Sequence, residues 1–191
     1  MQIDRVLYPI KTLGPGERLV IWTIGCSKHC YKCANPELWN EKPDKDIDVF
    51  GLVSIIKQVT DNRKIDGITI TGGDPFEQID ELNKLLSLLG EITDDVLVYT
   101  GYTIEEARTI IPKSEWESMR QHTSVLIDGA YMDDLNDNEC ALRGSSNQNI
   151  VYFDETKKEL YSAYLKKGRA VQNVFYNGKM ISVGIHNREF L

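Results

Sequence analysis

The chain has 191 residues, with 41% hydrophobic and 27% charged side chains, which is typical of one globular domain with a substantial core. Its 29 acidic and 22 basic residues give a formal net charge of −7, which argues against a nucleic-acid surface because phosphate binding needs a basic face. No stretch has the length of a membrane span, and residues 1–10 lack the pattern of a signal peptide. We therefore expect a cytoplasmic protein that binds neither nucleic acids nor membranes, and its four cysteines suit that reducing compartment.

The first part of the chain predicts two strands and a cysteine-rich loop. Residues 1–10 are half apolar and predict an edge strand, and the glycines and proline at residues 14–16 predict a turn. The apolar run LVIWTIG at residues 19–25 predicts a buried strand, and Gly25 lets the chain turn out of it. The loop that follows contains three cysteines: Cys26, Cys30 and Cys33.

Strands and helices then alternate. Short apolar runs predict strands at residues 68–70, 96–99 and 124–127. This alternation predicts βαβ units with a parallel sheet, built as an open barrel or as a doubly wound sheet. In either arrangement, ligands bind at the carboxyl ends of the strands, where this chain places its glycine-rich and polar turns.

Helices are predicted between these strands from caps and periodicity. Asp48 is an N-cap in front of apolar residues at helical spacing, and residues 76–89 have an amphipathic pattern. Capping-box patterns at Thr103 and at Ser114 each predict the start of a further helix.

The pattern changes towards the carboxyl end. Four apolar runs predict strands: residues 150–153, 160–164, 171–176 and 180–185. Asn177 and Gly178 predict a hairpin turn. We expect these strands to form an antiparallel meander on the edge of the main sheet. The chain then has a core of residues 1–153 and a C-terminal β extension of residues 154–191, packed on the same domain.

The spacing of the cysteines favours a metal or redox site. Cysteines this close on a tight loop bridge poorly and three thiols leave one unpaired, so disulfides do not explain the loop. A tetrahedral zinc site needs a fourth ligand, and no second CxxC pair supplies it. Thiolates also hold iron–sulfur clusters, where three of them would bind three irons of a 4Fe-4S cubane and leave the fourth open to a small molecule. A zinc or disulfide loop remains the alternative.

Four further motifs follow the cysteine loop in order: TGGDP at 71–75, YTGY at 99–102, LIDG at 126–129 and RGSSNQ at 143–148. With that loop, the series resembles the radical S-adenosylmethionine superfamily and, within it, the activating proteins of anaerobic ribonucleotide reductases. The resemblance runs from about Gly14 to Phe153. It implies an open partial (βα) barrel of the radical S-adenosylmethionine type and a 4Fe-4S cluster held by the three cysteines.

The resemblance also implies a reaction. The enzyme would cleave S-adenosylmethionine reductively to a 5′-deoxyadenosyl radical, which takes a hydrogen atom from a glycine of a large glycyl radical enzyme. A flavodoxin-type electron donor is implied as well, and no conventional acid–base pair is needed. Two alternatives stay open: a radical enzyme that modifies a peptide or small molecule, and an electron carrier or structural metal protein. Electron carriers usually protect every iron with a protein ligand.

The resemblance assigns a set of residues to the cofactor: Lys32, Cys33, Ala34, Gly72, Gly73, Asp74, Thr100, Asp128 and Asn147. Glycines at a strand end let the backbone approach a ligand, and carbonyls with the Asp74 carboxylate would accept from the methionine ammonium group. The alternative is that Asp74 is only a helix N-cap. Thr100 and Asp128 would bind the ribose or the surroundings of the methionine carboxylate, or serve only in capping and turns.

Three further expectations concern the cysteine loop and its surroundings. Lys32 stands where one common form of the loop has an aromatic residue over the adenine, so adenine contact would come through the backbone of residues 32–34, with Tyr31 as a contributor. We expect the Lys32 ammonium group and His29 to be in solvent, and Cys140 to be a free thiol. Asn147 would lie near the adenosyl group or near the face where the partner approaches.

Overall fold

A six-stranded sheet forms the centre of the structure, a computed structural model that describes residues 1–188. The strands are β1 (Ile3–Ile10), β2 (Arg18–Thr23), β3 (Gly67–Gly72), β4 (Val96–Tyr99), β5 (Val125–Asp128), β6 (Asn149–Tyr152), β7 (Val171–Tyr176) and β8 (Lys179–Gly184). The helices are α1 (Val49–Val59), α2 (Ile79–Leu88), α3 (Ile104–Ile110), α4 (Lys113–His122) and α5 (Lys158–Leu165). No helix among the described residues combines the length and the apolar character needed to cross a membrane.

The main sheet is mixed, with its strands in chain order from β1 to β6. β2 to β5 pair in parallel, with Thr23 opposite Gly72 and Tyr99 opposite Ile127, whereas the edge strands β1 and β6 are antiparallel to their neighbours. Parallel pairing brings the carboxyl ends of four strands to one edge, so the predicted α/β class with a parallel core is confirmed. The closure of this sheet into a partial barrel stays a prediction.

The two faces of the sheet are covered differently. Successive residues of a strand point to opposite faces. On one face, Ile21 of β2 and Ile70 of β3 are buried with apolar residues of α1, α2 and α4, such as Ile56 and Leu82. Helix packing on this face follows from the amphipathic patterns of α1 and α2.

The C-terminal elements cover part of the opposite face. Tyr161 and Tyr164 of α5 are buried against β4 and β5. Val183 of β8 is buried against Val20 and Trp22 of β2. The extension therefore packs on the face of the sheet. The predicted meander on the edge of the sheet is wrong, except that β6 is an edge strand.

Two predictions about secondary structure near the carboxyl end need correction. Residues 160–164 belong to α5 rather than to a strand, because Tyr161 and Tyr164 lie three apart, at helical spacing, and bury the same side of a helix. β7 and β8 pair only with each other, in a separate two-stranded sheet whose turn contains Asn177 and Gly178 as predicted.

The helix caps were predicted with mixed success. Asp48 caps α1 by accepting from the backbone N–H of Phe50 and Gly51, and Thr103 begins α3 with a complete capping box. The helix predicted at Ser114 is present as α4, but Ser114 does not cap it, because α4 already begins at Lys113 and has no side-chain cap. Its N-cap is Pro112, two residues before the position that the Ser-x-x-Glu pattern indicates.

A buried ion pair lies at the amino ends of the strands. Arg18 Nη1 lies 2.7 Å from Asp95 Oδ2, and the two side chains are 0% and 1% exposed. Arg18 Nε donates to Thr69 Oγ1 at 2.8 Å, and the Tyr161 hydroxyl donates to Asp95 Oδ1 at 2.8 Å. Arg18 Nη2 donates to Ile68 O at 2.8 Å, so the polar atoms of the pair are satisfied, as burial requires, and the bond from Tyr161 connects α5 to the sheet.

We expect Asp95→Ala to lower the free energy of unfolding by about 3–5 kcal/mol, because it leaves the Arg18 charge buried and unpaired. Tyr161→Phe should cost about 1 kcal/mol, the usual value for one hydrogen bond. Urea unfolding of the cluster-free protein measures both. Glu91→Ala is the control, since it breaks the exposed pair with Lys57 and should cost less than about 1 kcal/mol. An Asp95→Ala cost no larger than this control would show that the pair is not important for stability.

Candidate functional site

The loop after β2 brings Cys26, Cys30 and Cys33 to one cavity of about 230 Å³. All three thiols are free and partly buried. His29 and Lys32 have φ values of 44° and 55°, in the left-handed region that residues other than glycine rarely adopt. These two left-handed residues turn the short loop back on itself, so that its thiols open into the same space.

The remaining walls of the cavity come from the turns that follow the parallel strands. Of the predicted cofactor residues, seven line it: Lys32, Cys33, Ala34, Gly72, Gly73, Asp74 and Thr100. Asp128 and Asn147 do not line the cavity. The carboxyl ends of β3 and β4 are thereby brought next to the cysteine loop, as the order of the motifs predicted.

The two glycines after β3 allow a close approach of two backbones. A β-carbon on Gly73 would overlap the carbonyl oxygen of Gly25, and one on Gly72 would overlap the backbone of Thr23. The close approach allows two backbone hydrogen bonds: Gly73 N donates to Thr23 O at 2.8 Å, and Asp74 N donates to Gly25 O at 2.7 Å. The glycines are therefore needed to seat the start of the cysteine loop against β3, a reason that sequence inspection did not give.

Asp74 is fully buried and connects several parts of the site. Its Oδ1 accepts from Phe76 N at 3.0 Å, as an N-cap does, and from the Thr100 hydroxyl at 2.9 Å. Its Oδ2 accepts from Gly101 N at 2.8 Å. Burial raises the pKa of Asp74 from 3.8 to about 6, although these hydrogen bonds oppose the shift. Asp74 is thus an N-cap for the turn that follows β3, and it also lies on the cavity wall.

The stretch between the first two cysteines is held by side chains from other elements. The backbone N–H of Ser27 donates to Glu77 Oε1 at 3.0 Å, and the Tyr102 hydroxyl donates to the same oxygen at 2.9 Å. Lys28 Nζ lies 2.9 Å from Glu106 Oε2 and 4.0 Å from the centre of the Tyr102 ring. These contacts fix the conformation of this part of the loop, and Lys28 itself lines the cavity.

The second half of the loop differs from two expectations. Lys32 Nζ lies 3.5 Å from Asp133 Oδ2 and the side chain is 33% exposed, so its ammonium group is only partly in solvent, where full exposure was expected. Tyr31 is 75% exposed and does not line the cavity. His29 is exposed, as predicted, and its ring stacks on Trp39 with the ring centres 4.7 Å apart.

Asp128 and Asn147 support the cavity from behind. Asp128 Oδ2 accepts from Ile104 N at 3.0 Å, at the start of α3, and its Oδ1 accepts from Asn149 N at 3.1 Å. Asn147 Nδ2 donates to Ala130 O at 2.8 Å, while its Oδ1 is buried without a hydrogen-bond partner among the described residues. A direct contact of either residue with the cofactor stays a prediction.

Sequence reasoning missed other residues of the cavity wall. Gly101 and Gln148 line the cavity, and both stand in motifs that were recognised as a whole. Gln148 Nε2 donates to Gly129 O at 2.9 Å and its Oε1 accepts from Gly144 N at 2.8 Å. Residues 182–186 also line the cavity, and no sequence motif pointed to them.

The donor set fits a 4Fe-4S cluster better than a single ion. Within residues 1–188, no group of three or more His, Cys, Asp or Glu side chains is placed to hold one metal ion. A cubane requires a different arrangement, because each thiolate binds its own iron and the sulfurs stay apart. Three free thiols that open into one cavity meet that requirement.

Comparison with known proteins decides the family. Residues 12–151 match the family model described as a 4Fe-4S single cluster domain. The anaerobic ribonucleoside-triphosphate reductase-activating protein of Escherichia coli (strain K12) is 30% identical over 147 residues, which cover 74% of this chain and 92% of that protein. The chain belongs to this family of reductase-activating proteins. The protein of the same name from Enterobacteria phage T4 is also 30% identical to this chain. The match spans 155 residues, which cover 78% of this chain and 93% of the phage protein.

The chain is also similar to an enzyme that is named for another partner. The pyruvate formate-lyase-activating enzyme of Staphylococcus aureus (strain USA300) is 28% identical over 144 residues, which cover 73% of this chain and 56% of that enzyme. The resemblance read from the order of the motifs is confirmed, and with it the predicted 4Fe-4S cluster and S-adenosylmethionine.

The role of the three cysteines can be tested one at a time. We expect Cys26→Ser, Cys30→Ser and Cys33→Ser each to lose most of the iron and sulfide bound after anaerobic reconstitution, because each removes one thiolate ligand. Cys140→Ser is the matched control, since this free cysteine is partly buried but lies outside the cavity wall. Iron content equal to the wild type in any of the first three variants would remove that cysteine from the ligand set.

We expect Asp74→Asn to destabilise the cluster-free protein by about 1–3 kcal/mol at neutral pH, because the amide nitrogen cannot accept from Gly101 N. The folded-state pKa of Asp74 is raised above its unfolded value, so its contribution to stability is complete below about pH 4 and declines as the pH rises towards 6. The difference in unfolding free energy between wild type and variant should therefore be larger near pH 4 than near pH 7.

Asp154→Asn provides the comparison for this pH dependence. A hydrogen bond from the side chain of Thr156 lowers the pKa of Asp154, so its stabilising contribution is lost as the pH falls. Chemical denaturation across the pH range should show opposite signs for the two variants. The same sign in both would contradict the raised pKa of Asp74.

Proposed function

We propose that this chain is a radical S-adenosylmethionine enzyme that installs a glycyl radical on an anaerobic ribonucleotide reductase. The observation that carries the proposal is that three free thiols and the polar ends of β3 and β4 share one cavity. The names of the two relatives that the chain matches over nearly their whole length support the same partner class.

The cysteine loop suits the cofactor that the family implies. Cys26, Cys30 and Cys33 would hold three irons and leave the fourth open to the amino and carboxylate groups of S-adenosylmethionine. When bound, the cluster would supply the one electron that breaks a C–S bond of this ligand, and the resulting 5′-deoxyadenosyl radical would take a hydrogen atom from a glycine of the partner. The chain itself binds, orients and shields the reacting groups.

One group on the cavity wall favours a cationic ligand, while Arg5, Lys28 and Lys32 also line the wall and are each paired with a carboxylate. Asp74 lies on this wall, and none of the hydrogen bonds described for it comes from a cation. A buried carboxylate without a positive partner has a raised pKa, and a cation placed near it would stabilise its ionised form. The ammonium and sulfonium groups of S-adenosylmethionine meet this condition. We therefore assign Gly72, Gly73 and Asp74 to the methionine part of the ligand.

The other predicted residues receive supporting roles in this proposal. The backbone of Lys32 to Ala34 contacts the adenine, and Thr100 positions Asp74 through its hydroxyl group. Asp128 and Asn147 hold the turns behind the cavity. The sheet serves as a partial barrel, with a core of residues 1–153 and a C-terminal extension of residues 154–191.

The partners follow from the chemistry. A glycine of the partner enzyme has to reach the cavity, so we place the docking face beside residues 26–33, where Tyr31 is exposed. A cluster that gives up one electron in each cleavage has to be reduced again, so an external electron donor is needed, for which we propose a flavodoxin-type protein in the cytoplasm. A pyruvate formate-lyase is the second candidate partner. It is supported by the name of one relative, of which the match covers only 56%.

The proposal predicts two products. Reconstituted protein with a chemical reductant should release 5′-deoxyadenosine from S-adenosylmethionine, and addition of an anaerobic ribonucleotide reductase should yield a glycyl radical seen by electron paramagnetic resonance. A reductase with alanine in place of its radical glycine is the control, and a pyruvate formate-lyase tests the second candidate. Release of no 5′-deoxyadenosine would indicate an electron carrier, and release without a radical on either partner would indicate another substrate.

A further inference from the structure

Residues 182–186 form part of the wall of the cavity that holds the three cysteines. The family match ends at residue 151, so this wall comes from a stretch beyond the shared domain. β8 and the chain after it bring these residues to the cavity from the face of the sheet that carries no helices from the core. The contacts that hold this stretch in place show what it does.

One side of the hairpin is seated on β1, on β2 and on the chain between them. Val183 is buried in an apolar cluster with Trp22, which also lines the cavity. The Thr12 hydroxyl donates to Val183 O at 2.8 Å, and Gln172 Nε2 donates to Pro9 O at 2.9 Å. The hairpin is therefore fixed to the first strands of the sheet by both apolar packing and hydrogen bonds.

Arg169 fixes the other side of the hairpin to the loop in front of β6. Its Nη1 donates to His186 O at 2.8 Å, and its Nε donates to Cys140 O at 3.2 Å. Its Nη2 donates to Arg143 O at 3.1 Å and to Gly144 O at 3.2 Å. The side chain is only 5% exposed. A buried guanidinium group that donates to carbonyls of two segments holds these segments at a fixed separation.

Arg188 connects the end of the segment to the cysteine loop. Its Nε donates to Asp133 Oδ2 at 3.1 Å, and its Nη2 donates to Asp134 Oδ1 at 3.0 Å. The same Asp133 oxygen lies 3.5 Å from Nζ of Lys32, the residue before the third cysteine of the loop. Asp133 is buried and thus joins a cation of the cysteine loop to a cation of the C-terminal segment.

We propose that residues 182–186 are a wall of the S-adenosylmethionine site and that Arg169 and Arg188 are positioning residues that hold this wall closed. The inference rests on the proposed function, because it takes S-adenosylmethionine as the ligand of the cavity. Binding sites cover most of the surface of a small ligand, so a cavity that lacks one wall binds weakly. Apparent affinity falls with the fraction of molecules in which the site is formed, so release of either arginine weakens binding while the three cysteines stay in place.

The test compares Arg188→Gln and Arg169→Gln with Arg120→Gln. Arg120 pairs with Glu117 at 3.1 Å on α4, which covers the other face of the sheet. The dissociation constant for S-adenosylmethionine is read from the change in the electron paramagnetic resonance spectrum of the reduced cluster during titration. We expect it to rise about fivefold or more in the first two variants and to stay at the wild-type value in Arg120→Gln. Iron content should be unchanged in all three.

A second readout does not depend on the cluster. In the cluster-free protein, amide hydrogen exchange of residues 182–188 should be faster in Arg188→Gln and Arg169→Gln than in the wild type and in Arg120→Gln. This measurement separates an opened wall from a general loss of stability, which would raise exchange in the core strands as well.

Each outcome decides the inference. Arg188 is partly exposed, so its replacement leaves the core intact and gives a result even where Arg169→Gln fails to fold. An unchanged dissociation constant in Arg188→Gln overturns the inference, as does a raised constant without faster exchange of residues 182–188. A wild-type protein with an intact cluster that binds no S-adenosylmethionine overturns the proposed function and the inference with it. Wild type and variants that bind and cleave the ligand equally well overturn the inference alone.

Discussion

Asp74 lies where three parts of the site meet. Its backbone N–H donates to Gly25 O at the start of the cysteine loop, and its carboxylate accepts from Thr100 and Gly101 at the end of β4. One buried residue therefore sets the positions of the ends of β2, β3 and β4 relative to each other. The junction is possible only because Gly73 has no β-carbon to overlap Gly25. Any ligand of the cavity is positioned relative to this junction.

A buried carboxylate lies at each end of the parallel strands, and the two differ in whether a cation is paired with them. At the amino ends, Asp95 is paired with Arg18 and also accepts from Tyr161, so its charge is neutralised locally. At the carboxyl ends, Asp74 receives only neutral donors, and burial raises its pKa. A buried charge that is fully paired needs no ligand to compensate it, whereas an unpaired carboxylate beside a cavity is stabilised by a bound cation. This difference supports the proposal that the ligand binds at the carboxyl ends of the strands.

The predictions from sequence succeeded where the signal is local. Apolar runs gave the strands of the core, Asp48 and Thr103 marked helix starts, and the glycine-rich turns fell at strand ends. They failed where long-range packing decides, as in α5, whose apolar run has no strong preference until Tyr161 is buried on the sheet. The pairing of Lys32 with Asp133 and the C-terminal wall join residues far apart in sequence, so no local pattern could reveal them.

The cysteine loop shows how such long-range contacts maintain an unfavourable local conformation. His29 and Lys32 adopt left-handed backbone conformations, which cost about 1–3 kcal/mol each for residues other than glycine. Contacts from outside the loop offset this cost: Glu77 accepts from Ser27, and Asp133 pairs with Lys32. Because these contacts do not involve the thiols, the protein itself specifies the shape of the loop. In the function we propose, the cluster would bind to thiols that already open into one cavity, beside which residues 182–186 of the C-terminal extension form part of the wall.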